Sequence, residues 1–169
     1  MRGFLKIAAA LLALAAAPLA ANTAVAKPSR EQAEVMLAAD EFFAALRSED
    51  RTALARQMLP EGVIFIHSRM EAAEGELRIV PVASFLERHG SRSGRVDGGM
   101  KYDTVLGDGD MAQVWGPYRF MVEGTTSHCG INSLSMVKTP EGWKVANTSF
   151  TMIGPEHCDH IGAPGVPAR

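Results

Sequence analysis

Residues 111–153, MAQVWGPYRFMVEGTTSHCGINSLSMVKTPEGWKVANTSFTMI, decide the fold. Apolar and polar residues alternate with a period of two, the spacing of strands with one buried face. Met111 to Val122 reads as one strand, Ser127 to Lys138 as a second and Trp143 to Ile153 as a third. Glu123-Gly124-Thr125 and Thr139-Pro140-Glu141-Gly142 are compact turns between them. Gly116-Pro117 inside the first strand implies a bulge or an edge position, because proline has no N–H to give a ladder. Just upstream, Met100 to Leu106 reads as a further strand, closed by the turn Gly107-Asp108-Gly109-Asp110.

Toward the N-terminus the period changes to helical. Ser29-Arg30-Glu31-Gln32 fits a capping box, and Val35, Leu37, Ala38, Phe42, Ala45 and Leu46 follow at helical spacing. Asp50 can cap a short second helix through Leu54 and Met58. Val63-Ile64-Phe65-Ile66-His67 reads as a buried strand, residues 68–78 are ambiguous, and Pro81 opens a third helix, Val82 to His89. Gly90 to Gly99 reads as a flexible loop; a glycine-rich phosphate cradle needs a strand before it and a helix after it, and here the order is reversed. Helices first and a meander after is the α+β pattern, with helices packed on one face of an antiparallel sheet.

The chain has 169 residues and a net charge of −2. Residues 1–26 read as a signal peptide of the bacterial kind: Arg2 and Lys6, an apolar run from Ile7 to Ala17, and Ala24-Val25-Ala26 before the cut. Removing them takes away two positive charges and no negative ones, leaving 15 basic against 19 acidic residues, or −4. That balance speaks against a nucleic-acid partner. It describes a periplasmic or secreted protein with no membrane attachment after cleavage. The domain then covers 27–153, and 154–169 is a loop-like tail.

Phe42-Phe43 with the acidic break Glu49-Asp50 resembles the opening of the nuclear transport factor 2-like superfamily. Val114-Trp115-Gly116-Pro117-Tyr118, Gly124, His128-Cys129-Gly130-Ile131-Asn132 and Gly142-Trp143-Lys144-Val145 resemble its SnoaL-like and lumazine-binding branches, over Gln32 to Ile153. The resemblance implies a cone: a curved antiparallel sheet wrapped around the N-terminal helices, as in the cystatin-like cone, with an apolar pocket inside. That pocket hosts isomerases, dehydratases and cyclases, and also proteins with no known reaction, so the fold alone does not name a function.

Several residues are candidates for the pocket. His67, at a strand end, and Asp103, on the first meander strand, are candidate bases. Tyr118 could donate to a carbonyl or enolate. His128 and Asn132 share parity on one strand, with Gly130 leaving space between them. Trp115 and Phe65 are candidate pocket wall. No acidic residue lies in 63–67, where the enzymes of the family would suggest one.

Cys129 and Cys158 are the only cysteines. A hairpin around 139–142 places Cys129 opposite about residue 152, near enough for a disulfide that pins the tail. Two free thiols, or a metal held by His128-Cys129 and His157-Cys158-Asp159-His160, are the other readings, but adjacent strand residues face opposite ways and the zinc spacing is missing, so no metal or cofactor is expected. The functional expectation is a module that binds a small apolar or aromatic ligand. The alternatives are a proton-transfer enzyme acting next to a carbonyl, and a structural module that dimerises through its sheet.

Overall fold

The structure, a computed structural model, describes residues 27–48, 50–70, 75–89 and 94–165. The expected signal peptide lies outside the described residues. Helix α1 (Arg30–Arg47) starts at the expected capping box: the Ser29 hydroxyl accepts from the Gln32 amide at 3.1 Å, and the Gln32 side chain accepts from the Ser29 amide at 2.9 Å. Helix α2 (Arg51–Gln57) is capped by Asp50, which accepts from the Thr52 and Ala53 amides. Strand β1 (Val63–Ser68) is followed by β2 (Glu76–Pro81), and Pro81 leads into α3 (Val82–His89). Strands β3 (Val96–Met100), β4 (Thr104–Asp108), β5 (Met111–Val122), β6 (Thr125–Thr139) and β7 (Gly142–Met152) follow, then a 3-10 turn, Pro155–His157.

These strands form one curved sheet in the order β2-β1-β7-β6-β5-β3, with β4 also on β5. The pairing is antiparallel except at β1, which runs parallel to β7, so the sheet is mixed where a purely antiparallel one was expected. The chain returns to β7 only after the helix and the meander, and it arrives beside β1 in the same direction.

Two other expectations change. The glycine-rich loop contains a strand, β3, and the stretch Met100–Leu106 is not one strand but the end of β3 and the start of β4. Gly116-Pro117 lies inside β5, which has neighbours on both sides. The Pro117 carbonyl accepts from the Lys101 amide and the Trp115 carbonyl from the Asp103 amide. A residue's N–H and C=O leave a strand on the same side, so the missing Pro117 donor falls at the break between β3 and β4, where the ladder is interrupted anyway.

The core sits between α1 and the inner face of the sheet. Val35, Ala39 and Phe42 of α1 pack with Val114, Leu134, Met136 and Val145, all buried. The sheet bends at two register shifts, Phe120/Met121 in β5 and Ser135/Met136 in β6. The second shift moves Cys129 opposite Ile153 instead of 152. From there the tail turns back, and Cys129 and Cys158 form a disulfide with their Cα atoms 5.5 Å apart. Both cysteines are thereby used, so neither free thiols nor thiolate metal ligands remain. Arg119 holds the same tail: its guanidinium donates to Asp159 at 2.6 Å and to the Pro164 carbonyl at 2.9 Å.

Closing a loop of this length by a disulfide removes about 3.5 kcal/mol of unfolded-state entropy in the chain-entropy account. A Cys129→Ser/Cys158→Ser variant is expected to lose stability of that order in denaturant melts while keeping its far-ultraviolet circular dichroism. The non-reduced protein is expected to show no alkylatable thiol by mass spectrometry; two reactive thiols would contradict the bond.

Candidate functional site

Past Phe42 and Phe43, the last turn of helix α1, with Leu46 and Arg47, lines the cone without filling it. The space left is a cavity of about 310 Å3, walled by Phe42, Phe85, Phe120, Phe150, Ile66 and Met152. Strand parity selects this wall. On β1, Ile64 and Ile66 face in, and their β2 partners Val80 and Arg78 face in with them. On β6, His128 and Asn132 face in as their shared parity requires, and Tyr118 on β5 joins them at the cavity.

These three polar residues carry most of the chemistry of the wall. The buried Tyr118 hydroxyl donates to the Thr151 carbonyl at 2.8 Å. Burial pushes its phenol far above the ordinary range, so it stays protonated. Its proton is committed to the backbone, and the face it offers the cavity is an acceptor. Asn132, also buried, takes the Thr148 hydroxyl proton on Oδ1 at 2.7 Å, which leaves its Nδ2 hydrogens for a ligand. His128 stacks on Phe120 with ring centroids 5.0 Å apart and meets Tyr118 edge-on at 5.8 Å. Desolvation lowers its pKa from the ordinary 6.5 to about 4, so the imidazole is neutral near pH 7.

Gly130, between His128 and Asn132, was expected to leave room for a ligand. Its reason is different. A Cβ there would lie 1.9 Å from the Thr151 carbonyl oxygen, the atom that Tyr118 reaches across Gly130 to hold. Gly98, at the cavity edge, has φ +140° and would place a Cβ 2.2 Å from the Arg119 carbonyl, so no side chain fits.

The other candidates lie elsewhere. His67 is exposed on the opposite face of β1, because an apolar run such as 63–67 does not reveal which parity faces in. Phe65 shares that outer face and lines only a shallow groove with Val63, Ser133 and Ser135. Trp115 is 49% exposed, since its β5 neighbours Val114 and Gly116 take the inner parity. Asp103 sits in the bend between β3 and β4, ion-paired with Lys101 at 2.7 Å and outside the cavity.

The cavity carboxylate is instead Asp97 on β3. Its side chain is 12% exposed, with Arg95 at 3.6 Å and Arg47 at 4.0 Å. The sequence reading missed it because Asp97-Gly98-Gly99 has the composition of a loop. Arg47, Arg78 and Arg88 also line the cavity, and no motif marked any of them; Arg119 borders it, but its guanidinium is turned to the tail on the other face. For Arg78 a signal existed: it shares parity with Val80 across from Ile66. Among the described residues no cluster of three or more His, Cys, Asp or Glu could hold a metal.

No protein-family model and no curated protein matches the sequence. Solved structures do match. The chain is similar to an NTF2-like protein of unknown function from Silicibacter pomeroyi, with 17% identity, 72% of this chain and 95% of that one covered, and a TM-score of 0.56. The fold is the NTF2-like fold. A ketosteroid isomerase-like protein from Erwinia carotovora atroseptica is similar at 17% identity, covering 75% of this chain and 98% of that one, with a TM-score of 0.54. A Nostoc punctiforme protein of unknown function with a cystatin-like fold matches at 13% identity over 74% and 92%, also at 0.54. The NTF2-like architecture accounts for the cone and its cavity, and the wall chemistry is this chain's own.

The neutral His128 gives a pH dependence. Its folded pKa lies below its unfolded one, so between about 6.5 and about 4 the unfolded chain binds more protons. Stability is therefore expected to fall as pH falls from about 6.5 to about 4. A His128→Phe variant is expected to flatten that part of the curve in denaturant melts taken across the range. An unchanged slope would contradict a desolvated imidazole.

Proposed function

We propose that this is an exported binding protein that takes a small ligand with an apolar or aromatic body into the cone cavity, without chemistry. One observation carries it: an aromatic-walled cavity of about 310 Å3 with a few inward polar groups. That is the composition of small-molecule sites, and the volume suits a ligand of about ten to fifteen heavy atoms. Asn132 Nδ2 and the Tyr118 oxygen can orient a carbonyl or hydroxyl on the ligand, while the aromatic rings supply contact area. Export is supported by the leader-like residues 1–26 and by the Cys129–Cys158 disulfide, which persists in oxidising compartments. No helix among the described residues is long and apolar enough to cross a membrane.

A proton-transfer enzyme is the second reading, favoured by Asp97. A carboxylate and an amide donor line the same cavity, the minimum for abstracting a proton next to a carbonyl and holding the oxygen. Against it stands the engagement of Asp97 by two arginines, and the absence of His67 and Asp103 from the cavity.

One experiment separates the two. The bicyclic ketone 2-tetralone is mixed with the protein in D2O and followed by proton NMR. Binding alone gives saturation transfer to the ring protons with α-proton exchange at the buffer rate. Exchange above that rate, lost in Asp97→Asn, supports the enzyme. An Ile66→Trp variant, folded by circular dichroism, fills the cavity and is expected to lose at least about ten-fold in affinity by steric exclusion. No saturation transfer, or transfer that Ile66→Trp leaves unchanged, overturns the cavity as the site.

A further inference from the structure

Three arginine side chains, Arg47, Arg78 and Arg88, line a mostly apolar cavity that also holds Asp97, Tyr118, His128 and Asn132, in a chain of net charge −2. One of them is already occupied. Arg47 donates to the Gly98 carbonyl at 2.8 Å and faces Asp97. The other two, Arg78 and Arg88, make no hydrogen bond or ion pair among the described residues. They come from different elements. Arg78 projects from the inner face of β2, beside Val80 and across from Ile66. Arg88 stands one turn beyond Phe85 on α3, and residues three apart share a helix face, so it sits on the cavity side with that ring.

We infer that the ligand of this cavity is an amphipathic carboxylate, its apolar body among the phenylalanines and its carboxylate at the rim between Arg78 and Arg88. The inference rests on the binding reading given above and adds the charge of the ligand. Both residues are exposed at the cavity mouth, so each guanidinium is open to an anion there. Guanidinium matches carboxylate geometry with paired N–H donors, and the bond strengthens beside an apolar surface that excludes water. An inward charge on an edge strand such as β2 also deters strand addition. That purpose would be met by Arg78 alone and gives no reason for Arg88, on another element, to share the rim.

The test compares two probes of one shape, 2-naphthoate and 2-naphthalenemethanol, by calorimetry at low and high salt. The carboxylate is expected to bind about ten-fold or more tightly than the alcohol at low salt, with the difference shrinking as salt screens the rim. An Arg78→Gln/Arg88→Gln variant is expected to bring the two probes within about two-fold of each other and to remove the salt dependence of the carboxylate's affinity. A control of equal net charge, Arg30→Gln/Arg56→Gln, is expected to keep the preference. Equal affinity of the two probes in the unaltered protein overturns the inference and leaves the cavity reading standing. So does a preference that survives loss of Arg78 and Arg88, or one that disappears in the control. If neither probe binds, both fall together.

Discussion

The apolar face of α1 is the constraint on which the rest depends. Val35 and Ala39 are fully buried and Phe42 nearly so, and only the sheet is large enough to cover them. A flat sheet would touch one helix along a line. This one bends at the Phe120/Met121 and Ser135/Met136 shifts and wraps the helix instead. The wrap is tight at the end near Val114, Leu134 and Val145, where the core is filled. It opens past Phe42, where the last turn of the helix, with Leu46 and Arg47, stands off from the strands. The cavity is the space left between that turn and the sheet, so the feature that stabilises the fold also produces the site.

The open end is held by a second set of contacts. Tyr118 crosses Gly130 to the Thr151 carbonyl, and the Thr151 hydroxyl accepts from the Ile131 amide, so β5, β6 and β7 are tied together beside the cavity. On the far side of β6 the disulfide and Arg119 fix the tail. His128 and Asn132 stand on the tied segment. Their positions are therefore set by backbone, and a ligand would meet a wall already formed, which lowers the entropy lost on binding.

The parts legible in the sequence share one property, a regular pattern backed by local chemistry. The Ser29 cap, the Asp50 cap, the proline before α3 and the alternation of β5 to β7 are of this kind, and the shared face of His128 and Asn132 followed from parity alone. The illegible parts carry patterns that burial inverts or hides. In β2 the apolar Leu77 and Ile79 face solvent while Arg78 faces in, so alternation points the wrong way. β3 has a loop's composition and is a strand only because β5 pairs with it. An apolar run such as 63–67 looks alike on both faces, which put His67 and Phe65 on the wrong side. The cavity carboxylate Asp97 and Arg78 fell in these same stretches.

The most direct measurement is a crystal of the protein pressurised with xenon, a probe that enters apolar cavities large enough to hold it. The account predicts a xenon site among Phe42, Phe85 and Phe150. Collapse of those rings onto one another, with no xenon between them, would contradict it.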